Sequence, residues 1–304
     1  MIREEYVFED VAEYLYENNE LLIAGISRED ERSHFFLNEW SIRKKDILLV
    51  DRRPGEQLYY KFVKNNQVIG ENVVDFCIAT PRLLRNLRVE EKNVLLDMSS
   101  LDHVLIMFLT KQLLTQVVPR ALFATYIRPE RYNKQYGDIE FSLSSQVLAV
   151  EAASGFTKRE STKQTLCSFL GFEGIRLKGV LESVHNVEKF IPIVAFPSGC
   201  PQWYNTTMWN SMDTLQSECK DSAVRKCFSE SVFEAVELLR DNITPEEKVV
   251  LAPLGTRPHS MACAIFACEH PSTRIVYDYV VEHNHRAIGI SDITVYHLST
   301  FLKS

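Results

Sequence analysis

Along this chain, short apolar runs alternate with longer stretches of helical spacing, the pattern of strands interleaved with helices. Val7, Val11, Leu15 and Tyr16 share one side of a helix predicted over residues 3–18. Strands are predicted at residues 21–25, 47–51, 58–63, 93–97 and 121–126, each a mostly apolar stretch of five or six residues. Asn65-Asn66 is expected to turn the third of these back into Val68-Ile69 as a hairpin. A long helix is predicted over residues 101–118, closed by Pro119.

Between residues 133 and 165 the pattern changes. Residues 141–145 alternate, 147–153 are apolar and 157–163 are polar, which reads as a domain boundary or a small β insertion. Beyond it come a predicted helix at 174–185, a strand at 190–195 and a loop at 196–201 with Trp203 and Trp209 behind it. Ser231 and Glu234 form a capping-box pair opening a helix over 232–239. A strand at 249–252, a loop at 253–258, a small-residue helix from about His259 and a strand at 274–278 complete the series.

The chain also reads as a repeat. Residues from Asn93 align without a gap with those from Val249, so that Ser99 meets Gly255, Ser100 meets Thr256 and His103 meets His259. Residues 122–126 match 275–279, and 23–27 match 194–198. The expected architecture is α/β: two tandem Rossmann-like units with largely parallel sheets, residues 1–135 and 166–304, joined by a polar linker or small β insertion at 136–165.

Composition narrows the function classes. With 45% apolar and 25% charged residues the chain has an ordinary globular composition, and its net charge of −7 argues against nucleic acid as the main ligand. Seven scattered cysteines without a CxxC favour a reducing compartment over a disulfide framework. The acidic N-terminus has no signal-peptide layout and no apolar run is long enough to cross a bilayer, so the protein is expected to be cytoplasmic, with no membrane partner.

The strongest candidate chemistry lies in residues 248–268. A buried strand feeding Gly255, Thr256 and Arg257 into a helix N-terminus is a place to hold an anion, with a hydroxyl and a planar guanidinium beside free backbone N–H groups. The plainer reading is a tight turn with a capping threonine. Asp97 and Asp102 flank a strand end where catalytic carboxylates sit in open sheets, or else serve as a loop acceptor and a helix N-terminal charge. His259, His297 and His283-Asn284-His285 lack metal-ligand spacing, so no metal is expected. Cys200 is a thiol without an identified histidine, and Arg128, Arg131 and Tyr126 follow a strand end where they either meet an anion or form a solvated loop. Trp203 and Trp209 either stack a base or pack over the sheet.

A strand, a Gly-Thr-Lys/Arg loop and a small-residue helix late in a Rossmann-like unit resemble the CARF domains (CRISPR-associated Rossmann fold), the sensory modules of bacterial antiviral systems. The related SAVED domains are tandem fusions of two such units. The family's Gly-Gly-Thr-Lys reads Leu254-Gly255-Thr256-Arg257 here. The resemblance implies a nucleotide-derived ligand against Gly255, Thr256, Arg257 and His259, with Ser99 and Ser100 in the first half, and Ser27, Arg28, Ser198 and Gly199 in the other contact region. Its output would go through a protein partner that carries the effector activity, or through activity of these domains themselves, and no cofactor is expected. Two alternatives stand beside this sensor. One is an enzyme hydrolysing or transferring a nucleotide or nucleoside, with Asp97, Asp102 or His259 as the acid–base group. The other is a structural subunit of a defence complex.

Overall fold

The computed structural model of the protein describes residues 5–8, 11–26, 31–132, 144–158, 161–219, 223–282 and 287–303. The chain is α/β and divides into two units, residues 1–131 with 287–304, and residues 132–286.

In the first unit the strands are β1 (Glu5–Phe8), β2 (Leu21–Gly25), β3 (Asp46–Arg53), β4 (Gln57–Lys64), β5 (Gln67–Asp75), β6 (Asn93–Asp97) and β7 (Ala121–Ile127). Its helices are α1 (Val11–Asn18), α2 (Glu31–Ile42), α3 (Phe76–Asn86) and α4 (His103–Thr115). The chain leaves through β8 (Arg131–Tyr132) and returns through β15 (Ala287–Ile288) to β16 (Ile293–His297). The eight-stranded sheet has the order β1-β16-β7-β6-β2-β3-β4-β5. Its centre, β7-β6-β2-β3, is parallel, and both flanks are antiparallel. Leu22, Ala24, Leu95 and Phe123 on these central strands pack against Tyr16, Phe36 and Trp40 of the helices. Burying each such side chain contributes roughly 1.5–3 kcal/mol.

In the second unit the strands are β9 (Ser144–Ala152), β10 (Gln164–Phe169), β11 (Val187–Ala195), β12 (Arg225–Cys227), β13 (Val249–Pro253) and β14 (Arg274–Glu282). The helices are α5 (Gly174–Ser183), α6 (Pro201–Glu218), α7 (Val232–Asn242) and α8 (Arg257–Glu269). The sheet order is β12-β11-β10-β13-β14-β9, parallel from β12 to β14, with β9 antiparallel at the edge. From β10 the chain builds outward through β11 to β12, then crosses back to β13 and β14 on the other side. Right-handed crossovers then put α5 and α6 on one face and α8 on the other. α5 packs on α6, where a Cβ on Gly174 would run into the Asn210 carbonyl, and α7 packs on α8.

Four expectations are corrected. Residues 3–18 do not form one helix: residues 5–8 are β1, recruited by antiparallel pairing with β16 far along the chain. The second unit does not run to residue 304, because β16 inserts between β1 and β7 of the first. The expected linker at 136–165 supplies β9 and the start of β10, strands of the second sheet, while residues 133–143 lie outside the described residues. Trp203 and Trp209, expected in a polar loop behind residues 196–201, lie on the helix α6. In strand order alone, β3-β2-β6-β7 and β11-β10-β13-β14 run alike, which sets β13 against β6 but β10, not the expected β11, against β2.

Candidate functional site

The mouth of the second sheet is built by β10 and β13, adjacent parallel strands whose residues are all buried. Their exits lead to helices on opposite faces, the arrangement that opens a crevice at the carboxyl ends of a parallel sheet. Two glycines let the exits approach. A Cβ on Gly171 would collide with the Leu254 carbonyl oxygen, and one on Gly255 would lie 3.0 Å from His259 Nδ1 and 3.1 Å from the Leu170 oxygen.

Thr256 is the N-cap residue of α8, and Pro258 sits in the first turn, where its missing N–H costs nothing. The Thr256 side chain does not cap its own helix. Its hydroxyl donates instead to the Ser229 carbonyl at 2.6 Å. Gly255, Thr256 and Arg257 are partly buried. His259, 1% exposed, faces the Phe228 carbonyl through Nε2 at 3.1 Å and stacks on Phe169 at 4.5 Å. A carbonyl only accepts, so Nε2 carries the proton and Nδ1 is a bare acceptor without a hydrogen-bond partner. Burial pulls the His259 pKa down to about 4, against the opposing hydrogen bond to Phe228. The ring is neutral near pH 7 and is not poised for acid–base work.

The loop after β11 joins the same structure. Ser229 N donates to the Pro197 carbonyl at 3.2 Å, and Phe196 N to the Cys227 carbonyl at 2.7 Å. Ser198 spends its hydroxyl on the Cys200 carbonyl at 2.6 Å, with Gly199 between them. The two predicted contact loops, 196–200 and 254–257, therefore each hydrogen-bond to one segment, residues 228–229. Sequence reasoning passed over that segment. Its one signal was the capping box just beyond it. Ser231 does accept from Glu234 N at 2.9 Å, while Glu234 Oε1 accepts from Phe228 N at 3.1 Å.

Behind the mouth, Arg176 of α5 forms a bidentate ion pair with Asp278 of β14, and Glu173 Oε2 lies 3.8 Å from Arg176. Arg176 and Asp278 are 2% and 0% exposed. Burial disfavours the guanidinium charge, but the hydrogen bonds and charge of Asp278 outweigh it and hold its pKa above the ordinary value. This pair also went unread in the sequence.

In the first unit, Ser99, Ser100 and Asp97 are buried at 0–1% exposure. Ser100 Oγ accepts from Gly25 N at 2.8 Å and donates to the Asp97 carbonyl at 3.0 Å. Ser99 Oγ accepts from Ile127 N at 2.8 Å, and Asp97 Oδ1 accepts from Ser99 N at 2.9 Å. Asp102 caps α4 by accepting from Leu105 N at 2.7 Å, with Arg52 3.4 Å away. Both aspartates thus act in the loop and the cap. Ser27 and Arg28 lie outside the described residues, as does His283-Asn284-His285.

The remaining candidates disperse. His297 stacks on Phe123 at 4.5 Å. Among the described residues no group of three His, Cys, Asp or Glu could hold a metal ion. Burial pushes the Cys167 and Cys263 thiols up, away from reactivity, and Cys200 is a partly buried free thiol. Arg128 pairs with Asp292, Tyr126 is buried at 4% exposure, and Arg131 begins β8. Trp203 packs against Tyr132 at 4.9 Å, whereas Trp209 is 79% exposed. Six residues advance a helix by about 240°, so the two rings do not share a face. No described helix is long and apolar enough to cross a membrane. No family model matches the sequence, and no curated protein matches it.

Proposed function

We propose that the second unit binds a nucleotide-derived anion at the mouth between β10 and β13 and serves as the sensory part of a regulatory protein, signalling to a partner that carries the effector activity. In this reading both units are Rossmann-like, and the chain is a CARF/SAVED-like sensor of antiviral defence working in the cytoplasm. The observation that carries it is the start of α8: a helix N-terminus without side-chain capping, at a switch in strand order, beside Arg257. The donors this reading assigns to the anion are the first-turn backbone N–H groups, with the Arg257 guanidinium, itself in contact with other groups of the chain, alongside them; the Thr256 hydroxyl is held by Ser229. A binding role is favoured over catalysis because Asp97, Asp102 and His259 are committed to loop, cap and core.

The test is thermal unfolding of the full chain against mono-, di- and cyclic oligonucleotides, with the nucleotide analysed afterwards for turnover. A ligand at a hundredfold excess over its Kd should raise the unfolding temperature by about 5 °C or more. Arg257→Ala should abolish that rise while keeping the unliganded temperature. A rise that survives Arg257→Ala moves the site elsewhere, no response to any nucleotide removes the reading, and consumption of the nucleotide replaces it with the enzyme.

A further inference from the structure

We infer that Thr256 is a latch rather than a ligand donor: its hydroxyl ties the loop after β13 to residues 228–231, and through them to the first turn of α7, so that a change at the mouth is felt at α7. The ligand that would trigger the change rests on the function proposed above, whereas the mechanical coupling does not.

The hydrogen bonds of residues 228–229 reach in several directions. Phe228 O holds His259, Ser229 O holds Thr256, Ser229 N reaches Pro197 and Phe228 N reaches Glu234 of α7. Two loops at the carboxyl edge and one helix therefore meet on two residues. A cap residue that turns its hydroxyl away from its own helix leaves the first-turn N–H groups without the side-chain partner that a threonine at this position ordinarily supplies. The bond to Ser229 O and a bond to its own first turn are mutually exclusive uses of one side chain. That gives the loop two discrete arrangements, which a coupling element requires.

Polar capacity is also left over at the junction. Ser229 Oγ, on a residue 5% exposed, and His259 Nδ1, on one 1% exposed, have no hydrogen-bond partner. Buried polar atoms are nearly always paired, and two orphans at one junction mark a place where another arrangement can satisfy more of them. An anion seated on the first-turn backbone N–H groups of α8 shifts the loop that carries Thr256 and pulls its hydroxyl off the Ser229 carbonyl. The Ser229 carbonyl is then released, and residues 228–231 loosen from α8 together with the cap of α7.

Amide hydrogen exchange on the full chain tests this without any ligand. Thr256→Val, which keeps the shape and removes the hydroxyl, should speed exchange across residues 229–235 about threefold to fivefold. Thr256→Ser should match the unsubstituted protein, and amides of residues 261–267 in α8 should keep their protection in both, which shows that the fold is intact. Exchange at 229–235 unchanged in Thr256→Val overturns the latch. Adding inorganic phosphate supplies a second arm: with the latch removed, thermal stabilisation by phosphate should exceed that of the unsubstituted protein several-fold. A smaller stabilisation makes Thr256 a ligand donor and overturns the inference. No response to phosphate in either protein counts against the anion reading alone, and the exchange result still decides the coupling.

Discussion

Aligned hydroxyls at the mouths of the two units point in different directions. Ser100 follows β6 and turns inward, accepting from Gly25 N on the neighbouring central strand β2 and donating to the Asp97 carbonyl. Thr256 follows β13 and turns sideways, onto the Ser229 carbonyl in the segment that leaves β12. The first bond joins a loop to the middle of a sheet, and beside it Ser99 Oγ, Asp97 Oδ1 and Asp102 Oδ1 each accept from a backbone N–H of their own unit. The second joins one loop to another. Ser100 closes a mouth, while Thr256 holds one in a single arrangement among others it could adopt. A like order of four central parallel strands thus goes with a locked edge in one unit and an adjustable edge in the other. The difference lies in what a single side chain bonds to, a link between packing and function that strand order alone does not reveal.

The largest expected effect separates how the two units anchor their sheets. Arg176→Met leaves Asp278 buried without its counter-charge and should cost about 3–5 kcal/mol in urea unfolding. Replacing both members, Arg176→Met with Asp278→Leu, should recover most of that loss. The first unit's Lys92–Asp46 pair, 3.0 Å apart with side chains 20% and 16% exposed, retains access to water, so Lys92→Met should cost about 1 kcal/mol. Equal losses would show that the buried pair does not distinguish the second unit.

A smaller effect depends on pH. The His259 pKa is about 4 in the folded chain and about 6.5 when unfolded, so between these values the unfolded state binds more protons. Its contribution to stability is therefore intact above about pH 6.5 and falls as pH drops toward 4, by about 3 kcal/mol across the window. Protonation puts a charge and an N–H on Nδ1, which now only accepts and lies beside Gly255. His259→Gln should remove this part of the slope, read as the difference between the two proteins' unfolding free energies from pH 7 to 4. Parallel slopes would mean that the ring exchanges protons freely and is not sealed under residues 228–229.

Much of this frame was legible locally. The Asn65-Asn66 hairpin was, because both residues take positive φ, at 51° and 61°, as the tight turn demands. So were β6 and β13, whose apolar runs Val94-Leu95-Leu96 and Val249-Val250-Leu251-Ala252 mark buried strands, and the Ser231–Glu234 cap. What escaped was set by distant partners. β1 and β16 exist because they pair with each other across almost the whole chain, and nothing near residue 5 announces residue 296. β10 reads Gln-Thr-Leu-Cys-Ser-Phe, half of it polar, yet every residue is buried because strands flank it on both sides. At the candidate site the residue types were readable and their bonds were not. Thr256 was visible as a cap, but its choice of Ser229 depends on where the crossover from β12 runs, and Arg176 and Asp278 meet across 102 residues.

The finest test removes the aligned hydroxyls one at a time. Ser100→Ala strips the acceptor from Gly25 N, deep between β2 and β6, where a Cβ on Gly25 would already run into the Ser100 carbonyl. No water fits such a contact, so the orphaned N–H should cost about 2 kcal/mol. Thr256→Val strips one donor from the Ser229 carbonyl, which faces the partly buried Thr256 at the edge of the mouth and has a second lone pair, and the loss should stay under about 1 kcal/mol. Chemical denaturation of the two variants beside the unsubstituted chain reads both. If Thr256→Val proves the costlier, the second mouth is as firmly closed as the first, and the contrast between a locked and an adjustable edge fails at the residue pair on which it was drawn.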